Sequence, residues 1–194
     1  MQVPNEKKRR QITDAAARMF ATRPFHQVKL SDIAAAAGVG KGTLYVYFSS
    51  KEDLYFGLIY DAFARMVDRL RERISAGTER AVDDLGAIVG ELVRFAFDNP
   101  HYFELTRMVG KVRGQSESAW NQKRQELSQL IEQALRRGVK TKEFCDPHPE
   151  LTAPLIPGFV RSLFVFGPRG LDEKTVSGHI VRLLERGIVA RKSP

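Results

Sequence analysis

Cysteine is almost missing from this 194-residue chain. Cys145 stands alone, so no intrachain disulfide can form, and a reducing cytoplasm is the expected compartment. Long apolar runs are missing too: Ala87 to Phe97 is interrupted by Glu91 and Arg94, and Leu163 to Phe166 falls far short of the ~20 residues a membrane span needs. The opening MQVPNEKKRR lacks the apolar core of a secretory signal, so neither export nor a membrane partner is expected. No stretch shows the apolar–polar alternation of a half-buried strand.

Catalytic and metal signatures are equally scarce. His26, His101, His148 and His179 lie far apart, with no i, i+4 pair and one cysteine to help, so no metal or other cofactor is expected. Gly38-Val39-Gly40-Lys41-Gly42-Thr43 invites comparison with a phosphate-binding loop, but Gly42 separates the lysine from the threonine and no strand precedes it. The G-x-G-x-G spacing also fails the dinucleotide fingerprint. No G-x-S-x-G elbow and no convergent nucleophile and base are visible. An α-helical enzyme with an unrelated basic end is therefore the weakest of the readings carried forward, and catalytic turnover is what would reveal it.

What the chain does have is positive charge, unevenly placed. The net charge is +8, and residues 1–51 hold nine Lys/Arg against three Asp/Glu, leaving only +2 for the rest. A polyanion would dock on that first quarter; a solvated basic tail is the plainer alternative.

Inside the basic region, Lys29 to Lys51 reads KLSDIAAAAGVGKGTLYVYFSSK. Ser31 can cap a short helix, with Asp32 in its first turn and Ile33, Ala34 and Ala37 forming a small inward face. Gly38 ends it. A second helix restarts after Gly40, with Leu44 and Phe48 inward and Gly42, Tyr45 and Val46 largely outward. This is a helix-turn-helix over about residues 29–48, and the small side chains from Ala34 to Ala37 let the two crossing helices approach closely.

The segment IAAAAGVGKGTLYVYFSSKEDL resembles the signature of the TetR family of bacterial transcriptional repressors. Two positions depart from the pattern: Gly40 stands where serine is usual, and Arg23-Pro24 where the loop after the first helix usually carries glycine. Glycine is an acceptable N-cap, so the first departure is mild. The resemblance implies an all-α protein, with a three-helix DNA-binding domain at 1–50 and a larger helical effector-binding and dimerisation domain at 51–194. It implies double-stranded operator DNA as partner, a homodimer through the last two helices and a small-molecule effector. Lys41, Gly42, Thr43, Tyr45 and Val46 fall on its major-groove positions, and Tyr47 on a phosphate contact. Half-buried packing is the plainer alternative for Tyr47. Lys51 opens a helix, a poor place for a cation unless an anion is near. Lys29, Ser31 and the arm Lys7 to Arg10 are further backbone candidates; the arm either enters a minor groove or stays unordered, and the residues do not choose.

Periodicity lays out about nine helices in all. The first runs from Asn5 to about Thr22. Ser49 and Ser50, three residues before Glu52 and Asp53, make a capping-box pattern that opens a fourth helix striped by Tyr55, Ile59, Ala62, Phe63, Met66, Leu70 and Ile74. A fifth ends at Asp98-Asn99-Pro100, a short sixth spans His101 to Val109, and a polar break covers Gly110 to Ser118. The seventh carries Trp120, Leu127, Ile131 and Leu135 and stops at Gly138. Pro154 and Pro157 predict a kink or late start in the eighth, Pro149 to Phe166. Asp172 caps the ninth.

Arg94, Phe97, His101, Phe103, Trp120, Arg124, Phe159 and Phe164 are the candidate effector residues, because aromatic walls with a few polar groups make a small-molecule pocket. Each aromatic taken singly reads as ordinary core. The expected ligand is mainly hydrophobic, aromatic or anionic. A regulator without an effector, controlled by a protein partner or constitutive, is the competing reading.

Overall fold

The computed structural model describes residues 5–77, 80–100, 103 and 115–188. Eight α-helices occupy them: α1 (Glu6–Thr22), α2 (Leu30–Ala36), α3 (Lys41–Tyr47), α4 (Lys51–Ala76), α5 (Ala81–Asp98), α6 (Gln115–Lys140), α7 (Pro149–Phe166) and α8 (Glu173–Ile188), with a 3-10 turn at Phe25–Gln27. No strand forms among the described residues, so the fold is all-α. Apart from Phe103, the short helix expected at 101–109 lies outside them. Two compact units, Met1–Asp61 and Ala62–Pro194, divide the chain inside α4.

The first unit closes around Ile12, Ala15 and Ala16 of α1, Val28 of the following loop, Ile33 and Ala34 of α2, Leu44 and Phe48 at α3, and Leu54 of α4. The Asn5 side chain caps α1 by accepting the Lys7 N–H at 2.8 Å, and Glu6 complements the helix dipole. The basic segment Lys7 to Arg10 is consequently helical, neither a groove-entering arm nor an unordered one. Ser31 does not cap α2. Packing of the partly buried Leu30 against the core draws the helix start back by two residues, making Lys29 the N-cap, and Ser31 Oγ donates to Asp32 instead.

The end of α2 shows why glycine is required there. Gly38 sits at φ 66°, and the Val39 and Gly38 N–H groups return to the Ala34 and Ala35 carbonyls, the paired bonds of a Schellman cap. Only a residue tolerant of the left-handed region closes this turn without strain. At α4, Ser50 Oγ accepts the Asp53 N–H at 3.0 Å while the Asp53 carboxylate accepts the Ser49 N–H at 2.8 Å.

In the second unit α5 packs against α6, α7 and α8, burying Leu85, Ile88, Val89, Leu92, Val93, Phe95 and Ala96. The helix α6 begins at Gln115, so the expected polar break does not reach Ser118; Gly114 is the last breaker, and nothing after it opposes a helix. Nor does α7 start late. Pro149 at its first turn is preset for helix, and the helix runs unbroken past Pro154 and Pro157 to Phe166. Asp172 accepts the Thr175 N–H at 2.8 Å ahead of α8.

The N-cap of α5, Arg80, does not cap the helix with its side chain. Glu143, far along the chain, supplies it: its carboxylate accepts the Ala81 N–H at 3.0 Å and the Thr141 hydroxyl at 2.9 Å. The Ala81 N–H above all, with Thr141, Val82 and Arg80, holds the Glu143 carboxyl below its ordinary range against the opposing effect of burial. A depressed folded-state pKa means the stabilisation is present above the unfolded value of about 4.3 and is lost as pH falls through the folded one. Glu143→Gln should therefore cost about 1 kcal/mol at neutral pH, as loss of a cap does, and less at a pH below the unfolded value of about 4.3. Urea melts at both pH values check it; an equal cost at both would assign the effect to shape and not to charge.

Candidate nucleic-acid interface and ligand cavity

The heptad from Lys41 to Tyr47 is turned by its two anchors. Leu44 is fully buried and Phe48, just past the end, is nearly so. With that side fixed inward, Lys41, Gly42, Tyr45 and Val46 come together on the exposed side, Tyr45 at 48% and Val46 at 56% exposure. Thr43 is half-buried on the flank. Lys29 and Ser31 are exposed at the start of α2. The outer side of α3 thus presents one cation, one phenol, one aliphatic group and a bare stretch of backbone.

Gly42 carries the most information. A Cβ placed there would meet nothing within 4 Å, so the chain's own packing does not demand glycine at the second position of α3. Glycine costs up to about 1 kcal/mol against alanine within a helix, less in its first turn. A requirement imposed by whatever docks on α3 accounts for it. Gly42→Ala should raise the unfolding free energy by roughly that amount while weakening binding to duplex DNA. Thermal melts and anisotropy titrations on the same variant check this; a gain in both stability and DNA affinity would remove the argument.

Two expected phosphate contacts are also engaged within the unit. The Tyr47 hydroxyl accepts the Asn5 N–H at 2.8 Å, tying α3 to the start of α1. Lys51 Nζ donates to the Phe25 and Val28 carbonyls at 2.8 and 3.0 Å and lies 4.3 Å from the Phe25 ring centroid. The awkward cation at the start of α4 is therefore satisfied by carbonyls of the α1–α2 loop, with one N–H to spare. Phe25 is itself held by the rings of Phe20 and Tyr55 at 5.7 and 5.1 Å. Lys51 thus fixes the loop that delivers α2.

The second unit contains a cavity of about 770 Å³. Phe63, Leu92, Phe95, Phe103, Leu127 and Val160 make its apolar walls, and α6 contributes Asn121, Arg124, Gln125 and Ser128. Pro154, Pro157, Gly158 and Arg161 line it from α7. Of the expected effector residues, Phe103 and Arg124 are here. Trp120 is one layer behind, its ring 4.7 Å from that of Phe63. Phe97 and Phe164 contact each other at 5.0 Å beside a separate cavity of about 240 Å³. Arg94 is taken up by Glu91 and Glu173, Phe159 is exposed and outside the lining, and His101 lies outside the described residues. Asn121, Gln125, Ser128 and Arg161 escaped the sequence reading. The signal for the first three was a polar i, i+3, i+4, i+7 face on α6 shared with Arg124, which looks the same as a solvated one; Arg161 lies apart on α7.

Among the described residues no helix is long and apolar enough to cross a membrane. A helix-turn-helix with an exposed reading side, followed by a helical unit built round a cavity, is the class of a ligand-accommodating DNA-binding protein. The description "Bacterial regulatory proteins, tetR family" matches residues 12–58, and "Tetracyclin repressor-like, C-terminal domain" matches residues 78–188, more than half of the chain. This chain belongs to the TetR family.

The Bacillus subtilis (strain 168) fatty acid metabolism regulator protein is 41% identical over 64 residues, 33% of each chain, so the match spans about a third of that relative's length. Among solved structures, the Bacillus subtilis regulator FadR in complex with stearoyl-CoA shares the fold at TM-score 0.68 and 23% identity, covering 90% of this chain and 96% of that one. A Saccharomonospora viridis regulator in complex with choline does so at 0.72 and 23%, covering 96% and 100%.

Proposed function

We propose that this chain is a cytoplasmic, homodimeric transcriptional regulator that represses by binding a pseudo-palindromic operator and is released when a small, mainly hydrophobic effector fills the cavity of the second unit. The observation that carries the reading is the outer side of α3, where Lys41, Gly42, Tyr45 and Val46 are exposed together and Gly42 has no reason inside the chain. Side chains and backbone on such a face reach base edges, while Lys29, Ser31, Tyr47 and the free N–H of Lys51 serve phosphates.

Support for a dimer comes from the last two helices. Leu151, Leu155 and Phe159 form an exposed i, i+4, i+8 stripe on α7, and Leu183 is exposed on α8. A contiguous exposed apolar stripe of this kind marks an association surface. The cavity favours effector control over a regulator governed by a protein partner alone. Stearoyl-CoA and choline, the ligands of the two structural neighbours, carry heads of opposite charge, so the fold leaves the choice of ligand to the lining.

Genome-wide mapping of bound sites in cells tests the reading. Enrichment at a few loci sharing an inverted repeat is the expected result; occupancy indistinguishable from an untagged control would overturn it.

A further inference from the structure

The larger cavity is lopsided in charge. Phe63, Leu92, Phe95 and Phe103 give one side no polar group, whereas Arg124 on α6 and Arg161 on α7 both line it. No aspartate or glutamate is among its described lining residues. Among the described residues Arg124 and Arg161 pair with no carboxylate, as is also true of several arginines away from the cavity; what sets these two apart is that both line one concavity without an acid. Two guanidiniums on the lining of one concavity that has no acid among its described residues make the local potential positive. An anion bound there is favoured.

We propose that the cavity takes an amphiphile whose apolar chain lies on the Phe63–Phe95–Phe103 side and whose anionic head, carboxylate or phosphate, is gripped by Arg124 and Arg161. Guanidinium forks match both head groups with two-pronged hydrogen bonds, and Asn121, Gln125 and Ser128 add neutral donors on the same helical face. A volume of about 770 Å³ suits a ligand of drug size or a medium chain. Cationic and uncharged amphiphiles satisfy only the apolar half. The inference rests on the effector reading for its biological meaning, but not for its chemistry.

The protein carries its own reporter, since Trp120 is its one tryptophan and its ring packs on Phe63 of the cavity wall. Fluorescence titration of the full chain with decanoate, decanoyl-CoA, 1-decanol and decanoylcholine tests the proposal. At least one anionic probe should bind about tenfold or more tighter than decanol, one charge-assisted contact being worth that much; which of the two does so separates carboxylate from phosphate. Decanoylcholine should bind no better than decanol. Arg124→Ala with Arg161→Ala should erase the anionic preference and leave decanol binding within about twofold, the apolar contacts being untouched. Gly158→Leu, at a lining position where a Cβ meets nothing within 4 Å, should fill the cavity and remove binding of all four probes without unfolding the helix.

Equal binding of decanol or decanoylcholine, no binding of any probe, or an anionic preference that survives the double variant would overturn the proposal. A mobility-shift assay on operator DNA keeps the two readings apart. Release by decanol or decanoylcholine alone would sink the ligand class and spare effector control. Arginine-dependent anion binding that leaves operator affinity unchanged would support the ligand class and sink effector control.

Discussion

Operator affinity should fall about a thousandfold or more as monovalent salt rises from roughly 50 to roughly 200 mM. The steepness follows from where the cations stand. Lys7, Arg10, Lys29 and Lys41 are all exposed on the first unit, and none of them has an acidic partner there among the described residues. Two protomers together can therefore neutralise on the order of six to ten phosphates, and each releases condensed counterions that added salt returns. Anisotropy titrations across the salt range give the slope of log affinity against log salt. A slope shallower than about −2 would mean that the basic side of the unit does not meet the backbone.

The second large effect concerns symmetry. A duplex retaining only one half of the inverted repeat should bind about a thousandfold more weakly than the intact operator, approaching non-specific DNA. Each α3 is only seven residues long and presents three exposed side chains beside the bare Gly42, too few for strong discrimination alone. Specificity then needs two copies related by a two-fold axis, held at the spacing of two half-sites. Lengthening the spacer by half a helical turn should be nearly as damaging as deletion, because it turns the second half-site to the far side of the duplex. Equal affinity for the half-site and the full site would place recognition within a single protomer and remove the need for the apolar stripe on α7.

Much of the first unit was legible because its determinants are local. Gly38 closes α2 through bonds to Ala34 and Ala35, Leu44 and Phe48 orient α3, and the Ser49-Ser50 pattern does cap α4. What escaped was set by distant partners. The carbonyls that satisfy Lys51 lie 23 and 26 residues upstream, and no spacing rule connects them. Ser31 lost the cap because Leu30 is worth more packed against the core than left outside the helix.

In the second unit the aromatics drew attention and the polar residues did not. Phe97 and Phe164 pair beside the smaller cavity, while Asn121, Gln125 and Ser128, which resemble any wet helix face, line the larger one. Of the kink or late start that Pro154 and Pro157 predicted, the late start does not occur, since α7 is continuous from Pro149, and both prolines line the cavity directly.

The account makes the DNA-reading side of α3 and the cavity of the second unit two sites coupled through one conformational equilibrium. A ligand lowers operator affinity only by preferring the conformation that DNA disfavours, and moving the population from about 1:99 to about 99:1 takes roughly 5.5 kcal/mol of differential affinity. Linkage then requires operator DNA to weaken the ligand by the same factor. The direct test is to titrate the anionic amphiphile that binds best into free protein and into protein saturated with operator, following Trp120 fluorescence in both. The account predicts that ligand affinity drops at least about tenfold on the operator and that the drop matches the loss of operator affinity in saturating ligand. The same ligand affinity with and without DNA would contradict it.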